Sequence, residues 1–167
     1  DTEQDDEIDI VCAGGIDVTA KRTYQEENIP ADHIGYTLTV SGLNGGHSGM
    51  DIHKGLGNAN KVMNRILYAI SHELNAKVAS INGGSLRNAI PRESVAVVTI
   101  AKDSESQMAA LVSSLTEEIK AEYTTMEPGL NITMVSVTTP LKGMNADDQT
   151  RILNAIYTAN NGVYRMS

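Results

Sequence analysis

Two short stretches of this chain concentrate groups able to handle charge. "SGLNGGHSGMDIHKGLGNAN", Ser41 to Asn60, carries His47, Ser48 and His53, and "NGGSLRNAIPRE", Asn82 to Glu93, carries Arg87, Asn88 and Arg92. An imidazole, an amide and a guanidinium framed by Gly45-Gly46 and Gly83-Gly84 could stabilise a developing oxyanion and hold a carboxylate. Glycine costs backbone entropy, so a run of them marks either a plain turn or a backbone that must come close to something. If the two stretches meet, the start of the helix that follows the first adds a field favourable to anions.

Other chemistries fit less well. His47 and His53 are six residues apart across a glycine loop with Asp51 between them. They lack the i, i+4 helical spacing that fixes two imidazoles on one metal, and catalytic zinc needs three close ligands and an open position. No nucleophile elbow and no phosphate-binding G-x-x-x-x-G-K-[ST] pattern is present. His33 and His72 read as ordinary loop and helix-surface residues. These are accessory groups for catalysis without a catalytic engine.

The elements that must position these groups follow from periodicity. Tyr36, Leu38 and Val40 alternate with Thr37, Thr39 and Ser41 in "HIGYTLTVSGL", a strand with one wet face. Val62, Met63, Ile66, Leu67, Ile70 and Leu74 recur at three- and four-residue spacing, one apolar face of a helix over 58–74. "AKVASI" and "SVAVVTIA" read as two further strands. "DSESQMAALVSSLTEEIKAEYTTM" reads as a second helix, with Asp103 and Ser104 as capping candidates and Met108, Leu111, Val112, Leu115 and Ile119 on one face. "GLNITMVSVTT" is a fourth strand after the Pro128-Gly129 break, and a last helix runs from Asp147 to Asn161-Gly162.

The order is β-α-β-β-α-β, which predicts an α+β fold: a ferredoxin-like sandwich with two helices on one face of a four-stranded antiparallel sheet. An N-terminal arm and a C-terminal helix flank it. The expected divisions are a connecting segment over 1–34, the sandwich core over 35–140 and the C-terminal helix over 141–167. In the connecting segment, Ile8, Ile10 and Cys12, then Ile16 and Val18, read as two short extended segments joined at Gly14-Gly15, after an acidic, solvated run from Asp1 to Asp9. A right-handed helical crossover makes the first two strands of the sandwich parallel, so the loops after them leave the same edge of the sheet. His47 and Asn88 should therefore be neighbours.

Composition narrows the partners. The 167 residues carry a formal net charge of −8, which repels phosphate backbones and anionic headgroups, so neither nucleic acid nor membrane surface is an expected partner. The chain has no Trp and no Phe, so its core must be aliphatic. A single cysteine, Cys12, rules out an internal disulfide and reads as a small apolar residue. No run reaches the length of a membrane span, and the expected compartment is the cytoplasm. The opening "DTEQDDEID" and closing "GVYRMS" suggest an excised part of something larger.

Taken together, "DTEQDDEI", "CAGGIDV", "GLNGGHSGMDIHKGLGNANK", "NGGSLRNAIPRE" and "NNGVYRMS" closely resemble the aminoacyl-histidine dipeptidases, also called Xaa-His dipeptidases or peptidase D. These carnosinase-like enzymes are co-catalytic zinc exopeptidases in which a lid domain is inserted into a zinc-binding catalytic domain. The resemblance implies that this chain is the first part of the lid with a connecting segment before it.

It further implies that His47 polarises the scissile carbonyl, that Asn88 and Arg87 contact the substrate backbone or terminal carboxylate, and that Asp1 is one zinc ligand. Two zinc ions, the remaining ligands and a glutamate base would then lie outside the chain, which alone would be inactive. Its partners would be its own catalytic domain, a dipeptide and a second copy of the chain, paired through a sheet edge or helices. Two other readings remain: a mainly structural dimerisation module, and a ferredoxin-like regulatory domain that binds a small ligand.

Overall fold

The computed structural model describes residues 14–165. The acidic run, Asp1 and Cys12 lie outside the described residues.

Four strands form the central sheet: β2 (His33–Ser41), β4 (Lys77–Gly83), β6 (Ser94–Ala101) and β7 (Asn131–Val137). Their order is β4-β6-β2-β7, with every neighbouring pair antiparallel. β2 and β4 both run against β6, so they are parallel to each other, as the crossover requires. Helices α1 (Ala59–Leu74) and α2 (Glu105–Glu122) supply the crossings, which completes the ferredoxin-like arrangement.

Period-2 alternation puts Tyr36, Leu38 and Val40 of β2 and Ala96, Val98 and Ile100 of β6 into the core, while Thr37 and Thr39 stay half-buried on the opposite face. The facing helix contributes Val62, Met63, Ile66, Leu67 and Ile70, all essentially fully buried. Each such side chain stabilises the fold by about 1.5–3 kcal/mol. Among the described residues Tyr36 is the only buried aromatic in this cluster, in keeping with the absence of Phe and Trp.

The ends of the elements show local chemistry at work. Asn58 caps α1, its Oδ1 accepting from the amides of Asn60 and Lys61. Ser104 takes the N-cap position of α2, but its side chain makes no capping bond, because a single 3-10 turn over Lys102–Ser104 leads directly into the helix. The last helix, α3 (Ala146–Thr158), is capped by Asn145 and stops before the expected Asn161-Gly162. Lys61 accounts for the early stop, since its ammonium donates to the carbonyls of Ile156, Tyr157 and Ala159 and closes the helix end.

α3 docks on α1 through buried Leu153 and on the edge strand β4 through Gln149. The Gln149 amide accepts from Val78 N at 2.7 Å and donates to Ala76 O at 2.8 Å, so a strand edge that would otherwise carry unpaired groups is satisfied by a side chain. Beside it, β1 (Glu26–Asn28) pairs antiparallel with β8 (Lys142–Met144), joining the segment before β2 to the segment before α3. The expected extended segment at Ile16 and Val18 forms no strand. Both side chains are largely exposed, so nothing rewards them for joining a sheet.

Candidate functional site

Val40 of β2 and Gly83 of β4 both pair with Ser94 at the start of β6, so the chain leaves β2 and β4 at one point on the sheet edge. The loops that follow are then zipped together. β3 (Gly46–His47) pairs with β5 (Ala89–Ile90), placing His47 opposite Ala89, and Ser48 N donates to Asn88 O at 2.8 Å. Two stretches about forty residues apart thus share one short ladder. His47 and Asn88 line one open cleft of about 630 Å³, together with Asn44, Leu86 and Arg92.

The orientation of His47 is set by its own loop. Gly49 N and Met50 N both donate to His47 Nδ1, at 3.0 and 3.1 Å. An imidazole nitrogen that accepts two N–H bonds carries no proton, so the proton of the neutral ring sits on Nε2. The ring is therefore held as a hydrogen-bond donor through Nε2.

The backbone beneath it is fixed by Asp51, whose Oδ2 accepts from His47 N at 2.7 Å while Oδ1 pairs with Lys54 at 2.6 Å. The Lys54 ammonium, and after it the His47 backbone N–H, hold the Asp51 carboxyl below the usual carboxylate range. The depressed value in the fold means this anchor is present at and above the ordinary Asp pKa of about 3.9 and is lost as pH falls through the lowered value. A titration of this chain followed at the Asp51 side-chain carboxyl and the His47 amide by NMR is expected to show one midpoint below that ordinary value. A midpoint at or above it would remove Asp51 as the anchor.

The glycines serve the domain itself. Gly42 has a φ of +76°, and a Cβ there would lie 2.0 Å from Gly129 O. Gly45 has a φ of +68°, with the stem of Arg92 stacked where its Cβ would be. The close approach implied by the sequence is thus between the loop and its own neighbours.

The start of α1 is likewise committed. Ala59 N donates to Pro91 O at 2.9 Å and the next two amides to Asn58. The anion field expected there has no free donors to act through, since protein oxygens already occupy them.

The remaining candidates separate. The Arg87 guanidinium lies 3.4 Å from Asp17 and donates to Thr19 Oγ1 at 2.8 Å, so it is directed to the connecting segment. His53 is exposed in a 3-10 turn over Ile52–Lys54, His72 packs by its ring on Tyr68, and His33 Nδ1 is bonded to Thr99 Oγ1. Among the described residues no three His, Cys, Asp or Glu side chains cluster as metal ligands, so these residues by themselves do not fit a zinc site.

One site residue escaped the sequence reading altogether. Glu127, buried in the turn after α2, accepts from Asn44 N at 2.6 Å and from Gly57 N at 2.7 Å, at the two ends of the His47 loop. An acid beside Pro128-Gly129 looks like any solvated turn residue until the fold brings the loop to it.

Comparison with known proteins places this architecture. The family model described as the peptidase dimerisation domain matches residues 36–127. The cytosol non-specific dipeptidase of Escherichia coli (strain K12) is 39% identical over 167 residues, which is all of this chain and 34% of that protein. The crystal structure of aminoacylhistidine dipeptidase from Vibrio alginolyticus superposes with a TM-score of 0.83 at 40% identity, over 86% of this chain and 29% of that one.

Aminobenzoyl-glutamate utilization protein from Klebsiella pneumoniae, at 12% identity and a TM-score of 0.50 over 66% of this chain and 29% of its own, shares the fold alone. The chain spans about a third of the length of the curated relative it matches. A family match over more than half the residues, on a ferredoxin-like sandwich of the expected topology, establishes that this chain belongs to the peptidase dimerisation domain family.

Proposed function

We propose that the chain is the lid of a zinc-dependent dipeptidase acting on Xaa-His dipeptides, and that His47 supplies a hydrogen bond to the oxyanion formed when water attacks the scissile carbonyl. The observation that carries this is the pair of backbone amides on His47 Nδ1, which leaves Nε2–H as the donor on the cleft shared with Asn88. A neutral, pre-oriented N–H is the group an oxyanion needs, because no reorganisation is spent when the charge develops. Zinc ions held by the rest of the polypeptide, with Asp1 as one ligand contributed from here, would supply the activation of the attacking water.

Asn88 offers its amide to the substrate backbone from the same cleft. Arg87 reaches the terminal carboxylate after exchanging Asp17 for it, a swap that an exposed ion pair permits at little cost. The lid works when a closing motion brings His47 to the substrate carbonyl, and without its catalytic domain it hydrolyses nothing. The whole enzyme works in the cytoplasm on this reading, which is supported by a curated relative that is cytosolic by name. It works as a homodimer, a reading favoured by the family description and by β7, an edge strand of the sheet with Val135 exposed.

Purification of the intact polypeptide tests these points in one preparation. Expected are hydrolysis of Xaa-His dipeptides that is abolished by chelation and restored by zinc, two zinc ions per chain, and a dimer on sedimentation. Preference for dipeptides without histidine would overturn the substrate assignment, and a monomer at high concentration the dimer.

A further inference from the structure

Glu127 is 2% exposed, and its hydrogen-bond partners are not cations. A buried carboxylate is unfavourable through its lost hydration unless other groups replace the water. Here the replacements are two backbone amides, Asn44 N on Oε2 and Gly57 N on Oε1, and they bracket the segment that holds His47 and Asp51. A second tie runs alongside, from Asn44 Nδ2 to Met126 O at 2.7 Å.

The turn that carries Glu127 is itself fixed. Glu127 N donates to Tyr123 O at 2.8 Å and Leu130 N to Glu127 O at 3.0 Å, and Tyr123 and Leu130 both pack with the hydrophobic core. Nothing in a surface loop's own stability calls for a buried charge, since a neutral acceptor would satisfy either amide at lower cost. A single carboxylate that takes both amides does something a neutral group cannot: it sets the distance between the two ends of the loop.

We propose that Glu127 is a positioning residue for His47, a clamp across the base of the loop that holds the imidazole in register with the substrate carbonyl. This rests on the reading of His47 as the oxyanion donor. Glu127→Gln keeps the shape but turns one acceptor oxygen into an NH₂ group, so in either orientation one loop amide faces a donor. The base of the loop then opens. A displacement of about 1 Å at a positioned group can cost up to about 100-fold in rate.

The test is a double-mutant cycle in the intact dipeptidase, combined with hydrogen exchange at the Asn44 and Gly57 amides. Glu127→Gln is expected to speed exchange at both amides and to lower kcat by about 10- to 100-fold, with a smaller change in KM and zinc content retained. In a His47→Ala background the same change should cost no more than about 2-fold, because the group it positions is gone.

An equal kcat loss in both backgrounds would make Glu127 a general structural residue and overturn the proposal. Unchanged exchange at both amides would overturn the clamp, whatever the rates. A His47→Ala enzyme with full kcat would instead overturn the oxyanion reading, and the positioning role with it, while the exchange arm still judged the clamp. Should Glu127→Gln not fold, Asn44→Ala removes only the tie to Met126 and is expected to give about a 5-fold, equally non-additive loss. Additive loss there would also contradict the clamp.

Discussion

Replacing His47 by alanine in the intact polypeptide is expected, on the lid function proposed above, to lower kcat by about 10²- to 10³-fold, the usual effect of removing one oxyanion donor. KM should change far less, because the bond strengthens only as charge develops on the carbonyl oxygen. Zinc content should be unchanged. His47 Nδ1 is already taken by Gly49 N and Met50 N, which argues against a second life for this ring as a metal ligand. Steady-state kinetics with metal analysis on the same samples decides the point. An unchanged kcat sinks the assignment, and a parallel loss of zinc would reassign His47 to the metal site.

Gly42→Ala should be the most damaging single-methyl change in the loop. The residue sits at φ +76°, which an L side chain adopts at a cost of about 1–3 kcal/mol. The added Cβ would also lie 2.0 Å from Gly129 O, a backbone atom in the turn that carries Glu127. Relief requires moving that turn away from the loop, at a further cost of about 1–3 kcal/mol.

The sum, roughly 2–6 kcal/mol, corresponds to a fall in Tm of about 10 °C for a chain of this size. Gly55 is the matched control, with φ +71° but nothing within 4 Å of its Cβ position. Gly55→Ala should lose only the conformational share. Thermal unfolding of both variants measures the difference, and equal melting temperatures would mean that the Gly42–Gly129 approach is not a tight contact.

Much of the fold was readable because periodicity records burial. Leu38 and Val40, Val98 and Ile100, and the apolar stripe from Val62 to Ile70 announce their faces without reference to one another. The handed crossover then places the loops after β2 and β4 at one edge, which is why the nearness of His47 and Asn88 was predictable.

The contacts that orient those residues leave no such trace. The ladder between β3 and β5 is two residues long on each side, too short for any alternation to register. Glu127 acts through carboxylate-to-amide bonds to residues 70 and 83 positions away, and any loop amide would answer it equally well. The glycines are ambiguous for a related reason. Composition shows that close approach is needed but not what approaches, and the partners proved to be Gly129 and Arg92. Arg87 and Asn88 are adjacent in sequence, yet one faces the connecting segment and the other the cleft, a division that only the turn geometry makes.

The proposed role of His47 is tested most directly by the affinity of the intact polypeptide for a phosphinate analogue of an Xaa-His dipeptide, whose tetrahedral oxygens mimic the oxyanion. A group that binds the transition state more tightly than the substrate must bind such an analogue to the same degree. His47→Ala is expected to weaken the analogue by the same factor as it lowers kcat/KM, while the affinity for a planar, non-hydrolysed dipeptide barely moves. An analogue that binds the variant as tightly as the unaltered enzyme would contradict the assignment of His47 as the oxyanion donor.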